Sequence, residues 1–202
     1  MELHVEGNLL KNRRGEKVML TGVNCASLEW LCNPEKLVRT VQVALDDWNA
    51  NTIRLPLSQD KWFGFGGDQR GEDESGERYR AIVDQIVEEI AKRRKYVILD
   101  LHRSNCGSWG EFISGNMPDM NSLVFWKDIA RQFGNHPNVL FGIFNEPFKV
   151  SWDCWRDGGE VTVEYAPQNI GNQIMRDESG EPVLERITYH VPGLQEMVRT
   201  VR

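Results

Sequence analysis

Apolar and polar positions follow two rhythms along this chain. Tyr79, Ile82, Val83, Ile86, Val87 and Ile90 recur at i, i+3, i+4 and i+7, which is one buried face of a helix. Residues 96–101 (YVILDL) and 138–144 (NVLFGIF) are instead short, almost unbroken apolar runs that suit strands buried on both sides. Residues 52–58 (TIRLPLS) predict a further strand, with Pro56 marking its end or a bulge because proline offers no N–H to a ladder. Residues 17–24 (KVMLTGVN) predict the first strand, and residues 3–10 pair before it as a short hairpin around Asn12-Arg13-Arg14-Gly15. Two more helices are expected. One opens at Asn33-Pro34, with an N-cap and a first-turn proline, and runs to about Trp48; the other covers residues 122–133.

Strand and helix therefore alternate three times before a fourth strand, the order of repeated βα crossovers around a parallel sheet. Doubly wound sheets and TIM barrels share that periodicity. The polar residues Asn24, Arg54, His102, Asn145 and Glu146 lie within or at the C-terminal ends of the four strands, where a barrel gathers its chemistry. A dinucleotide binder would carry a glycine-rich first turn, but residues 22–27 (GVNCAS) are not G-x-G-x-x-G, and Gly64-Phe65-Gly66-Gly67 leads into an acidic loop. The expected fold is α/β, of the TIM (β/α)8-barrel type truncated to about four βα units, in a single partial domain over residues 1–202. Residues 148–190 form a long polar insertion, which is either functional or carries its own hairpin. An amphipathic helix then begins at Pro192, with Leu194, Met197, Val198 and Val201 on one face.

A net charge of -6 and a pI near 5.3 disfavour a phosphate backbone as partner, so no nucleic acid is expected. The basic run Lys92-Arg93-Arg94-Lys95 reads as the cationic end of a helix. No apolar run is long enough to span a membrane. Met1-Glu2-Leu3-His4 lacks the basic and apolar regions of a signal peptide, which leaves the compartment undetermined. Cys25, Cys32, Cys106 and Cys154 form no C-x-x-C pair; a bridge between loops and free thiols are both open. No metal-ligand spacing appears, and no cofactor is implied. Of the seven tryptophans, Trp48 and Trp126 are expected in the core. Trp30, Trp62, Trp109, Trp152 and Trp155 fall in βα loops, where indole rings suit the C–H face of a pyranose or pack under the loops.

The tripeptide Asn145-Glu146-Pro147 ends an apolar strand and sets a carboxylate at the rim of the core. Burial there would raise its pKa, as a general acid requires. With LTGVN (20–24), NTIRLPLS (51–58), YVILDLH (96–102), FWKDIARQFGNHPNVLF (125–141) and FNEP (144–147) in order, nearly the whole chain resembles glycoside hydrolase family 5, the retaining cellulase-type hydrolases. The resemblance implies that Glu146 is the acid/base and that Asn145 contacts the sugar 2-hydroxyl. It further implies that His102 faces the sugar at the scissile bond and that Arg54 lies near the nucleophile; Trp109 and Trp152 are taken as sugar contacts. Taken without the family, Arg54 reads as an ion-pair partner and His102 as a core histidine. Retention needs a second carboxylate about 5–5.5 Å from the first. The family places it after a seventh strand that has no counterpart here, and neither the family's histidine-x-tyrosine nor its eighth-strand tryptophan is found. Gly110-Glu111-Phe112 imitates the nucleophile motif without a strand leading into it, and Tyr189-His190 does not match.

The implied activity is hydrolysis of β-1,4-linked polysaccharide or oligosaccharide. The missing nucleophile leaves turnover by this chain alone in question. A non-catalytic carbohydrate-binding fragment or an inactive truncated product is the alternative. The open strand edges of a half barrel would favour self-association. Many relatives are secreted.

Overall fold

A computed structural model describes residues 2–110, 113, 115–167 and 173–202. In chain order the elements are β1 (Leu3–Glu6), β2 (Leu9–Asn12), β3 (Gly22–Asn24), α1 (Leu37–Asp46), β4 (Thr52–Ser58), α2 (Gln59–Trp62), α3 (Glu77–Lys92) and β5 (Tyr96–Arg103). There follow α4 (Met120–Phe133), β6 (Val139–Gly142), α5 (Trp152–Asp157), β7 (Gly158–Tyr165), β8 (Glu185–Pro192) and α6 (Leu194–Thr200). They divide into two compact units, Met1–His102 with Arg131–Gly142, and Arg103–Ala130 with Ile143–Arg202.

The first unit holds a four-stranded sheet in the order β3-β4-β5-β6, with β3 parallel to β4 and β5 parallel to β6. Each strand lies beside its predecessor, with no reversal of order, which is how a barrel winds and a doubly wound sheet does not. The inner strands are the buried ones: Ile53, Leu55, Leu57, Val97, Leu99 and Leu101 are all sealed from solvent. The outer strand β6 is only half-buried despite its apolar sequence. Pro56 sits in an inner strand without harm, because β3 pairs only with Thr52, Ile53 and Arg54 and makes no demand on its missing N–H. Gly22 is fixed by a close approach: a Cβ there would stand 1.7 Å from the Thr52 carbonyl oxygen.

Several boundaries differ from those the sequence predicts. The hairpin β1–β2 turns at Gly7-Asn8, and the chain from 12 to 16 forms a second turn closed by the Lys11–Lys17 bridge. Only the last three residues of 17–24 become strand. Helix α1 starts at Leu37 rather than at Asn33-Pro34, because the Cys32 N–H is tied to Asp68 Oδ2 at 2.8 Å and the chain must first make a turn. The helix ends at Asp46, which leaves Trp48 68 % exposed instead of in the core. Helix α3 lies as its periodicity predicts, with Tyr79, Val83, Ile86, Val87 and Ile90 buried. Its basic end is anchored by Arg93, which donates to both Asp46 carboxylate oxygens and to Glu89.

At the other end of α3, Asp73 accepts from the Arg78 and Tyr79 N–H groups and from Gln69 Nε2, satisfying helix donors that have no partner within the helix. Burial works to raise this carboxyl's pKa, but the bonds from Arg78, Gln69 and Tyr79 outweigh it and hold the pKa below the ordinary value. A depressed carboxyl stabilises the fold above its unfolded pKa of about 3.9 and loses that contribution as the pH falls through the folded value. Asp73→Ala is therefore expected to cost about 1–2 kcal/mol near neutral pH. Urea titrations at about pH 7 and about pH 3 should show the wild-type advantage shrinking in acid. An advantage that stays constant would count against this reading.

The second unit accounts for the polar insertion. After α5, capped by the Ser151 hydroxyl, strands β7 and β8 form an eight-pair antiparallel hairpin. Val161, Val163, Ile187, Tyr189 and Val191 face a core with Cys106, Ile113 and Met117. The opposite face is a polar ladder: Glu160 to His190, Thr162 to Thr188, and Glu164 to Arg186. Tyr189 Oη donates to the Met117 carbonyl and accepts from its N–H, both at 3.2 Å. In α6, Met197 is buried and its amphipathic neighbours are half-buried, as the pattern predicts. No helix among the described residues is long and apolar enough to cross a membrane.

Candidate active site

In the first unit, four polar side chains join across three neighbouring strands. Arg54 on β4 donates from Nη1 to Asn24 Oδ1 on β3 at 2.8 Å, its partner in register. Its Nη2 meets Asp100 Oδ2 on β5 at 2.7 Å, and the same oxygen faces His102 Nδ1 at 2.9 Å. Asp100 is 3 % exposed, whereas the Arg54 and His102 side chains keep 30 % and 20 % of their surface open. A carboxylate this deep is tolerable only when paired, and Arg54 pairs it. Asp100 and His102 lie two residues apart and so share one face of the strand. Gly142, opposite Asp100 in register, leaves room for it: a Cβ there would stand 2.9 Å from Oδ1.

Asp100 is the residue that sequence reasoning missed. A charged residue inside the otherwise apolar run YVILDL was the available signal, since nothing but a buried partner justifies it there.

In the chain, β6 ends at Gly142, and Asn145 and Glu146 belong to the second unit. Asn145 is half-buried. Glu146 is exposed, contrary to the burial expected of it, because the apolar run leaves strand geometry at Ile143, where the carbonyl accepts from Trp126 Nε1 at 3.0 Å. Glu146 has a left-handed backbone, φ 48°, immediately before Pro147. Trp109 is half-buried in a turn. Trp152 is 66 % exposed and stacks on Trp155, ring centroids 4.6 Å apart and planes 18° from parallel. Trp155 packs in turn against the hairpin core. Trp126 is in the core as expected.

Trp62 is no sugar contact. It ends α2 with no exposed surface, edge-on to Tyr79 and Phe133 at 6.4 and 6.5 Å. The four cysteines are free thiols. Burial above all, with Asp68 adding, raises the Cys32 pKa to about 11. Burial, with Asp119 adding, raises Cys106 to about 12. Neither is a thiolate nucleophile at neutral pH. No three His, Cys, Asp or Glu side chains among the described residues gather as a metal site. Glu111 lies outside the described residues.

Residues 12–176 match the Cellulase family, glycosyl hydrolase family 5. The chain belongs to this family. A family-5 relative, endoglucanase MaCel5A from Microbulbifer sp., is 31 % identical over 154 residues, 76 % of this chain and 27 % of that protein. Endoglucanase A from Butyrivibrio fibrisolvens is 29 % identical over 147 residues, 72 % of this chain and 32 % of that protein. Among solved structures, the catalytic domain of Thermobifida fusca endoglucanase Cel5A in complex with cellotetraose superposes with a TM-score of 0.53 at 24 % identity, over 76 % of this chain and 46 % of that one. The fold is thus that of the family-5 TIM barrel, of which this chain carries a four-stranded part. It spans less than a third of the length of these two curated relatives.

Proposed function

We propose that this chain supplies the acid/base side of a retaining family-5 glycosidase acting on β-1,4-linked glucan, with Glu146 as the proton donor. The observation that carries the reading is the Asn24–Arg54–Asp100–His102 network, a pre-built polar surface near the carboxyl end of β5 in a sheet of barrel order. The relatives bear the name endoglucanase, and one was crystallised with cellotetraose, which supports the choice of glucan. Arg54 and His102 would orient the sugar and its partner carboxylate, Asn145 the 2-hydroxyl, and Glu146 would protonate the leaving oxygen. Trp109 and Trp152 would meet pyranose rings. The nucleophile has to come from outside these residues.

The test is a fusion of this chain to the remaining strands of a family-5 endoglucanase, assayed for release of reducing ends from a soluble cellulose derivative. Hydrolysis is expected; a folded but inert fusion overturns the reading. The outer strands β3 and β6 are the edges at which further strands would join, from such a segment or from a second copy of the chain.

The exposed Trp152–Trp155 stack favours a second reading, carbohydrate binding without turnover. An exposed indole seated on a packed one is a rigid apolar platform for a sugar face. Calorimetry with cello-oligosaccharides on the chain alone should detect binding, and Trp152→Ala should weaken it roughly tenfold, an order of 1.4 kcal/mol. Equal affinity in the variant would remove Trp152 from the site.

A further inference from the structure

We infer that Asp100 is a positioning residue that fixes His102 as its Nδ1–H tautomer and so makes Nε2 the acceptor nitrogen. Asp100 is buried, and its Oδ2 receives Arg54 Nη2 at 2.7 Å while facing His102 Nδ1 at 2.9 Å. Paired to a guanidinium that is always charged, the carboxylate has only lone pairs to offer. The imidazole nitrogen that faces it must therefore carry the proton. A neutral imidazole protonated at Nδ1 keeps its lone pair at Nε2. Free histidine in water favours the opposite tautomer, so the network imposes this state.

The geometry is held from three sides. Arg54 is itself anchored on Asn24 of β3. Asp100 and His102 are two residues apart on one strand, which fixes their common face. Gly142 leaves the space that the other carboxylate oxygen occupies. For the reaction, the consequence rests on the function proposed above: a sugar hydroxyl facing Nε2 would donate a hydrogen bond to it, and a ligand offering only an acceptor there would be rejected. The tautomer itself does not depend on that function.

Nitrogen-15 long-range NMR of the labelled chain at about pH 8, above the ordinary histidine range, reads the tautomer directly. There are four histidines to assign. His190 serves as comparator, since its Nδ1 also faces a carboxylate at 2.9 Å, Glu160, but its side chain is 58 % exposed. His102 is expected to be almost wholly Nδ1–H, with His190 less biased. Asp100→Ala should return His102 to a majority of Nε2–H, while Gly142→Ala, which crowds Asp100 without removing it, should shift it part of the way. A wild-type His102 found as Nε2–H overturns the inference. So does an unchanged His102 in Asp100→Ala when His4, His136 and His190 keep their wild-type signals. Should Asp100→Ala fail to fold, the wild-type spectrum decides by itself. No step of the measurement needs turnover, so an inert fusion would leave this result standing.

Discussion

Hydrolysis by a barrel completed around this chain is expected to fall about 10²–10⁴-fold when Glu146 is replaced by Gln, the usual worth of a positioned general acid. The amide matches the carboxyl in size and cannot give up a proton to the leaving oxygen. Folding should not change, because the side chain is exposed and Gln meets the same backbone demand at φ 48°. Comparing substrates sharpens the result. An aryl glycoside whose leaving group departs as a stable anion needs little help from an acid, so its bond-breaking step should suffer much less than that of a cello-oligosaccharide. A Glu146→Gln fusion that hydrolyses soluble cellulose at the wild-type rate would remove Glu146 from the chemistry.

The other large effect concerns stability. Trp62→Ala should destabilise the chain by about 3–5 kcal/mol, the range for emptying a large buried aromatic site. Total stabilities are typically about 5–15 kcal/mol, so the variant should be marginal at room temperature. The indole has no exposed surface and touches two aromatic rings edge-on, with the Arg80 guanidinium 6.0 Å from its centroid. Deleting it leaves a hole between rigid neighbours that collapse poorly. Urea unfolding measures the loss. A change below about 1 kcal/mol would mean that the packing closes over the gap. Affinity for cello-oligosaccharide per folded molecule should be unaltered, which separates Trp62 from Trp152 by experiment.

How far the sequence could be read depended on the kind of signal each element carried. Strand β4 and helix α3 were legible to the residue or nearly so, because burial on known faces writes a period into the side chains. The start of α1 was not. Its apparent N-cap, Asn33, is overruled by a tether from Cys32 to Asp68, 36 residues away, and local propensity does not register such a bond. Indoles misled for a similar reason: Trp62 and Trp48 exchange the surroundings their positions suggested, since a loop address does not say which way a ring turns. The hairpin β7–β8 did show the alternation of strands in EVTVEY and RITYHV, but the charged outer residues gave those segments the look of a polar loop. Arg54 and His102, singled out as candidates in the sequence, do meet in one network, though the buried Asp100 that joins them was passed over. Glu146 was found as a motif, but its exposure depends on neighbours the motif does not contain.

The left-handed backbone at Glu146 has a consequence for any attempt to improve this protein. A side chain held there costs roughly 1–2 kcal/mol that glycine would not, and the following proline narrows the alternatives further. A variant library sorted by melting temperature alone would therefore enrich glycine at 146 and discard the carboxylate proposed as proton donor. Selection for heat resistance and selection for the proposed hydrolysis would pull this position in opposite directions.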